Sequence, residues 1–340
     1  MTEKEGTDNE MIRISGLTKV YGSKTAVDHL SLQVLKGEVF GLLGPNGAGK
    51  TTTILMLLGL TEPTEGSASI DGIDCTREAM KAKRIAGYLP DNVGFYPDMT
   101  GRENLMFTGQ LNGLSRKEAE IRIDELLGKV GMTEAADQKT ATYSRGMKQR
   151  LGIADVLMKD PKVIIMDEPT LGLDPEGMKA FLQLIRRLAV EDGRTILISS
   201  HQLYQIQQVC DRVGIFVEGK MIACGPIKEL GRQLVKENHY ALEIEVSPVD
   251  DRFLGFIKGL EGVRDISEEG ARLLIHADRD LRKDVTTFLG SNGYELLHLR
   301  QKGGDLDEIY SSYFEHAELE ADKHDNEHSK DHRFRRNRKG

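Results

Sequence analysis

The octet Gly44-Pro45-Asn46-Gly47-Ala48-Gly49-Lys50-Thr51 constrains this chain more than any other feature, because its spacing, G-x-x-x-x-G-K-[ST], works only between a strand and a helix. Both neighbours are present. The apolar run 38–43 reads as a strand, and residues 51–58 read as a helix. Glycines at 44, 47 and 49 let the backbone take positive φ and approach a phosphate closely, with successive amide N–H groups turned towards its oxygens. A helix N-terminus alone contributes about 0.3–2 kcal/mol, whereas micromolar nucleotide affinity needs roughly 8 kcal/mol. Lys50, reaching the β- and γ-phosphates, and a Mg²⁺ ion ligated by the Thr51 hydroxyl are expected to supply much of the difference. Thr52 is counted with them among the nucleotide contacts.

Around this loop, from residue 11 to about 231, short apolar runs alternate with helical patterns, which predicts an α/β domain on a mostly parallel sheet. Residues 39–43, 163–166 and 195–199 are apolar on both faces, as buried central strands are. Between about 98 and 160 the strand signals stop, and Leu126, Leu127 and Val130 share one helical face, so an inserted helical subdomain is expected. From 240 to 315 the pattern restarts as β-α-β-β-α-β, predicting a small α+β domain of ferredoxin-like order. Residues 1–10 and 319–340 are polar or charged and are expected to be disordered.

Composition narrows the classes. The chain is 39% hydrophobic with a mean hydropathy of −0.39, and its longest apolar runs fall far short of a bilayer span, so no transmembrane helix is expected. The N-terminus lacks a secretion signal, which implies a cytosolic chain. A net charge of −8 argues against a general nucleic-acid binder. Cys75, Cys210 and Cys224 show no paired spacing and read as buried thiols in a reducing compartment.

A second group of chemical residues ends the strand 163–166, in Asp167-Glu168. Acids there sit at the C-terminal edge of the sheet, where α/β proteins bind ligands. Strand alternation would turn the two side chains apart, leaving Asp167 to hold the Mg²⁺ shell and Glu168 to activate a water as general base.

These and further segments resemble the nucleotide-binding subunit of ATP-binding-cassette (ABC) transporters. Tyr143-Ser144-Arg145-Gly146-Met147-Lys148-Gln149 is similar to the family's signature, in a spelling found among efflux-type cassettes. Asp167 to Thr170 and Gly172 to Pro175 resemble its catalytic-acid and D-loop segments, His201 its switch histidine, and Tyr21 the aromatic that stacks on adenine. The resemblance covers residues 11–231 with the motifs in family order, and it implies a P-loop ATPase of the cassette type. It implies that ATP and Mg²⁺ bind, that Glu168 and His201 act with Lys50 in hydrolysis, and that Ser144, Gly146 and Asp174 complete the site of a second cassette.

Ser144 also reads physically as the N-cap of a helix over 147–158, where its hydroxyl, the Gly146 amide and the helix end make an anion site. One chain carries one copy of each half, so dimerisation is expected, as a homodimer or a heterodimer. One departure stands out: after Tyr88-Leu89-Pro90, where the family usually has glutamine, this chain has Asp91. Aspartate is one methylene shorter and cannot donate when ionised, so its contact with Mg²⁺ is either direct or bridged by water. Phe95, Tyr96, Met99 and Phe107 fall where the family docks its membrane partner; the other reading is ordinary core.

In the tail, His324, His328 and His332 recur every fourth residue, a spacing that admits a metal site or plain solvated sequence. The leading expectation is the ATPase of an exporter working with a polytopic membrane permease, peripheral on the cytoplasmic face of the membrane. The alternative is a soluble cassette ATPase of translation or DNA repair. A third reading is a ligand-sensing regulator.

Overall fold

The computed structural model describes residues 9–202, 207–227, 229–230, 240–269 and 272–302. The expectations placed on residues 1–8, 231 and 303–340, including the histidines of the tail, lie outside the described residues. The chain divides into two compact units, Met1–Gly225 and Pro226–Gly340.

The first unit runs β1 (Glu10–Tyr21), β2 (Lys24–Leu35), β3 (Val39–Leu43), α1 (Lys50–Leu57), β4 (Glu65–Ile70), β5 (Ile73–Asp74), α2 (Ala79–Ile85) and β6 (Ala86–Leu89). Three helices follow, α3 (Gly101–Leu111), α4 (Arg116–Lys129) and α5 (Arg145–Leu157). Then come β7 (Val163–Asp167), α6 (Pro175–Val190), β8 (Thr195–Ser200), β9 (Arg212–Val217) and β10 (Lys220–Pro226).

Two sheets form. One has the order β2-β1-β4-β5 and is antiparallel; the other has the order β10-β9-β3-β8-β7-β6 and is parallel through β9-β3-β8-β7-β6. Period-two patterning explains the first: Ile12 and Ile14 of β1 and Leu30, Leu32 and Val34 of β2 point into the core while Arg13, Ser15, Ser31 and Gln33 between and beside them face solvent. β3, β7 and β8 are buried along their whole length, as apolarity on both faces requires. Ile54, Met56 and Leu57 of α1 join Ile12, Val27, Leu42 and Val163 in one core, so the helix is anchored against both sheets. Fully burying each such aliphatic contributes about 1.5–3 kcal/mol.

Between β6 and β7 the described residues form helices α3, α4 and α5, which pack on one another. Their starts are encoded locally: Thr100 with Glu103 and Ser115 with Glu118 form reciprocal capping boxes. Ser144 caps α5 by accepting from the Met147 amide at 3.2 Å. The helix therefore begins at Arg145, two residues before the start read from sequence, because the cap itself sets the first turn.

The second unit contains β11 (Tyr240–Ser247), α7 (Asp251–Gly259), β12 (Val263–Glu269), β13 (Arg272–Ala277), α8 (Arg282–Asn292) and β14 (Glu295–Lys302). Its strands lie in the order β12-β13-β11-β14, with every neighbouring pair antiparallel. Ile244 and Ile275 of the sheet pack with Phe253, Ile257 and Val285 of the helices in a separate core. Of the three thiols expected to be buried, only Cys75 is, and burial pushes it up to about 12; Cys210 is half-buried and Cys224 exposed. Among the described residues no helix is long and apolar enough to cross a membrane.

Candidate functional site

Parallel pairing sets Leu43 opposite Ser200 and Asp167 opposite Ser199, so β3, β7 and β8 end side by side. Their C-terminal ends form the floor of a cleft of about 610 Å³. Tyr21, Asn46, Gly47, Gly49, Lys50, Thr51, Thr52, Asp91, Asp167, Glu168 and His201 all line it. Lys24, Ala26 and Leu171 line it too and were not singled out from the sequence. Gly44, Pro45 and Ala48 of the loop do not line the cleft.

The loop leaves its helix uncapped. Gly49, at φ 106°, precedes α1 and offers no side-chain cap, so the first-turn amides have no side-chain partner there. Gly47, at φ 84°, and Gly49 hold the left-handed backbone that such an anion-binding turn requires. Gly44 differs from expectation. Its φ is not positive; instead, a Cβ there would overlap the main-chain oxygen of Phe216 on β9. Glycine is needed at 44 for close packing against a neighbouring strand, which the loop spacing alone does not reveal.

Lys50 is only 5% exposed, and its ammonium donates to the carbonyls of Gly44 at 2.7 Å and Pro45 at 3.0 Å. It also lies 3.4 Å from Glu168 Oε1. The other Glu168 oxygen, Oε2, sits 2.8 Å from His201 Nδ1 and accepts from the His201 amide at 3.3 Å. The cleft thus gathers a cation, a carboxylate and an imidazole.

Asp167 is buried, and Thr51 Oγ1 donates to its Oδ2 at 2.9 Å while Ser199 Oγ donates to its Oδ1. Two hydroxyl donors keep this desolvated carboxylate satisfied. Ser199 also accepts from the Glu168 amide at 3.1 Å, so it positions both acids. Its role was missed; a hydroxyl at the end of an otherwise apolar buried strand, two residues before His201, was the available signal. Glu168 departs from strand alternation: it lies just past β7 at φ 47°, in the left-handed region. That turn aims Glu168 at Lys50 and His201. Such a conformation costs of order 1–3 kcal/mol and persists where surrounding structure enforces it.

Thr51 hydroxyl and Asp167 carboxylate are hard oxygen donors side by side, with Asp91 on the same cleft. Among the described residues no three His, Cys, Asp or Glu side chains converge as a metal cage. That sparse oxygen set fits Mg²⁺, which keeps several waters and phosphate oxygens rather than an all-protein shell. Asp91 Oδ1 accepts from the Asn92 amide at 2.7 Å. Tyr21 is 49% exposed at the cleft edge, with Lys19 Nζ 5.0 Å from its ring centroid.

Ser144, Gly146 and Asp174 do not reach this cleft. Ser144 is exposed at the start of α5, and Asp174 caps α6 by accepting from the Gly177 amide at 3.3 Å. The two segments abut: a Cβ on Gly146 would stand 3.7 Å from Leu173, and the Arg145 side chain lies against Gly172. Each chain therefore presents a phosphate-loop cleft and, apart from it, a surface built from 144–146 and 172–174.

Residues 27–171 match the family model described as ABC transporter. The chain is 37% identical over 304 residues to the linearmycin resistance ATP-binding protein LnrL of Bacillus subtilis (strain 168), covering 88% of this chain and 97% of that protein. It is 44% identical over 237 residues to the bacitracin transport ATP-binding protein BcrA of Bacillus licheniformis, covering 70% and 75%. Among solved structures, the dimeric post-hydrolysis ATP-binding cassette MJ0796 bound to ADP and Pi superposes with a TM-score of 0.58 at 27% identity, covering 64% of this chain and 98% of that one.

Proposed function

The chain belongs to the ATP-binding subunits of ABC transporters, and on that footing we propose that it hydrolyses ATP in the cleft around Lys50 to drive export through a separate membrane permease. One observation carries the reading: Lys50 and Thr51 at the start of α1, Asp167 and Glu168 at the end of β7 and His201 just past β8 meet around one cleft. Similarity to proteins of linearmycin resistance and bacitracin transport favours transport over a soluble role in translation or repair.

In this reading the loop amides and Lys50 grip the phosphates, Lys50 leaving the Gly44 and Pro45 carbonyls to do so. Tyr21 stacks on the adenine. Thr51 and Asp167, with Asp91 on the same cleft, would hold Mg²⁺, which when bound would neutralise phosphate charge. Glu168 accepts the proton of the attacking water, and His201 holds its carboxylate in place through the 2.8 Å contact. Ser144, Gly146 and Asp174 of a second copy close over the γ-phosphate, which accounts for their standing apart from the cleft within one chain. The dimeric state of the MJ0796 cassette supports this arrangement.

The helices α3–α5 serve as the inserted helical subdomain, and the β12-β13-β11-β14 unit as a ferredoxin-like accessory domain. Tyr96 and Phe107, 54% and 39% exposed and packed edge to face at 5.3 Å, form a surface suited to the permease. The subunit would then lie on the cytoplasmic face of the membrane through that partner. The test is Mg-ATP binding and turnover by the purified chain, with recovery of a polytopic membrane protein alongside it. Absence of saturable Mg-ATP binding sinks the reading.

A further inference from the structure

A second, smaller cavity of about 210 Å³ opens between the Asp91–Val93 segment and the first turns of α5, bounded by Arg145, Lys148 and Gln149. Gln149 is 2% exposed, yet its Oε1 has no hydrogen-bond partner. A buried amide left half unsatisfied costs about 1–3 kcal/mol, so its retention calls for a reason. The satisfied half supplies one. Gln149 Nε2 donates to the main-chain carbonyl of Asp91 at 3.2 Å, and Arg145 Nη2 reaches the same oxygen at 3.3 Å.

Three segments meet at that carbonyl. Asp91 lines the cleft that holds Lys50, and Arg145 and Gln149 belong to the first two turns of α5, whose cap is Ser144. The Arg145 side chain also lies against Gly172, ahead of Asp174. Because Gln149 is buried and held by α5, a shift of the helix start cannot occur without pulling on Asp91 or breaking this pair of hydrogen bonds.

We propose that Gln149, assisted by Arg145, is a positioning residue that clamps the Asp91 carbonyl and so ties the nucleotide cleft to the signature end of α5. It touches neither substrate nor metal. The inference rests on the ATPase reading above and adds a path by which the Ser144 surface senses the state of the cleft through Asp91.

The test uses the full-length chain with Mg-ATP as the probe, together with Gln149→Met, which keeps length and volume but neither donates nor accepts strongly, and the surface variant Arg145→Ala. The dissociation constant is expected to stay within about twofold of the parent while kcat falls roughly three- to tenfold, the split expected when only the transition state loses stabilisation. In a double-mutant cycle, the effect of Asp91→Ala on kcat should shrink at least twofold when Gln149 is already Met. Additive effects overturn the proposal, as does an unchanged kcat or a loss of affinity in parallel with kcat. If Gln149→Met does not fold, the same cycle with Arg145→Ala decides in the same way. A parent chain that neither binds nor hydrolyses ATP removes the ATPase reading instead, which keeps the two failures distinct.

Discussion

Thr51 Oγ1 donates to Asp167 Oδ2 across 2.9 Å, joining residues 116 positions apart in the chain. The bond exists because β3 and β7 both pair with β8, which brings the phosphate loop level with the acids that end β7.

Glu168→Gln keeps the size of the side chain and removes the base. Turnover of ATP is expected to fall at least about a hundredfold while Mg-ATP binding survives, since general-base catalysis contributes roughly 10²–10⁴-fold. Steady-state phosphate release read beside equilibrium binding checks this, and undiminished turnover would remove Glu168 from its role.

Gly44→Ala places a methyl group against the Phe216 main-chain oxygen, which cannot move without breaking up β9. A loss of about 1–3 kcal/mol is expected from such overpacking. Gly128→Ala, on the exposed face of α4 with open space around it, should instead gain up to about 1 kcal/mol. Urea melts of the two variants should shift in opposite directions.

Asp155, between α5 and α3, has its carboxyl raised above 3.8 by burial, against the lowering effects of Thr108 and Lys159. An acid whose folded pKa is raised costs stability when ionised, and that cost fades as the pH falls through the folded pKa. Asp155→Asn should therefore raise the melting temperature at pH 7, with a gain that shrinks on acidification and is gone below about the unfolded value. A gain that grows towards low pH would contradict the burial argument.

Asp91→Gln lengthens the cleft side chain and takes away the carboxylate that receives the Asn92 amide. ATP affinity is expected to stay within about twofold, because Lys50 and the loop carry the phosphates, while stimulation of turnover by a co-reconstituted permease changes. Identical stimulation curves would deny Asp91 a coupling role.

What the sequence determined by itself was contiguous. The phosphate loop, the strand before it, the helix after it and the two acids at a strand end are each written within about a dozen residues, where backbone preferences and hydrophobic period act directly. The caps at Ser115 and Ser144 are local in the same way, although α5 begins earlier than its apolar pattern suggested.

Only the tertiary structure decided how those pieces act on one another. Gly44 is required because of an oxygen on β9, Ser199 braces Asp167 and Glu168 from a neighbouring strand, and Glu168 is aimed by a left-handed turn that strand alternation does not foresee. Gln149 reaches Asp91 from 58 residues away. Each of these depends on the register of parallel strands or on helix packing, which arises from burial summed over the whole core and leaves no mark in any single stretch of sequence.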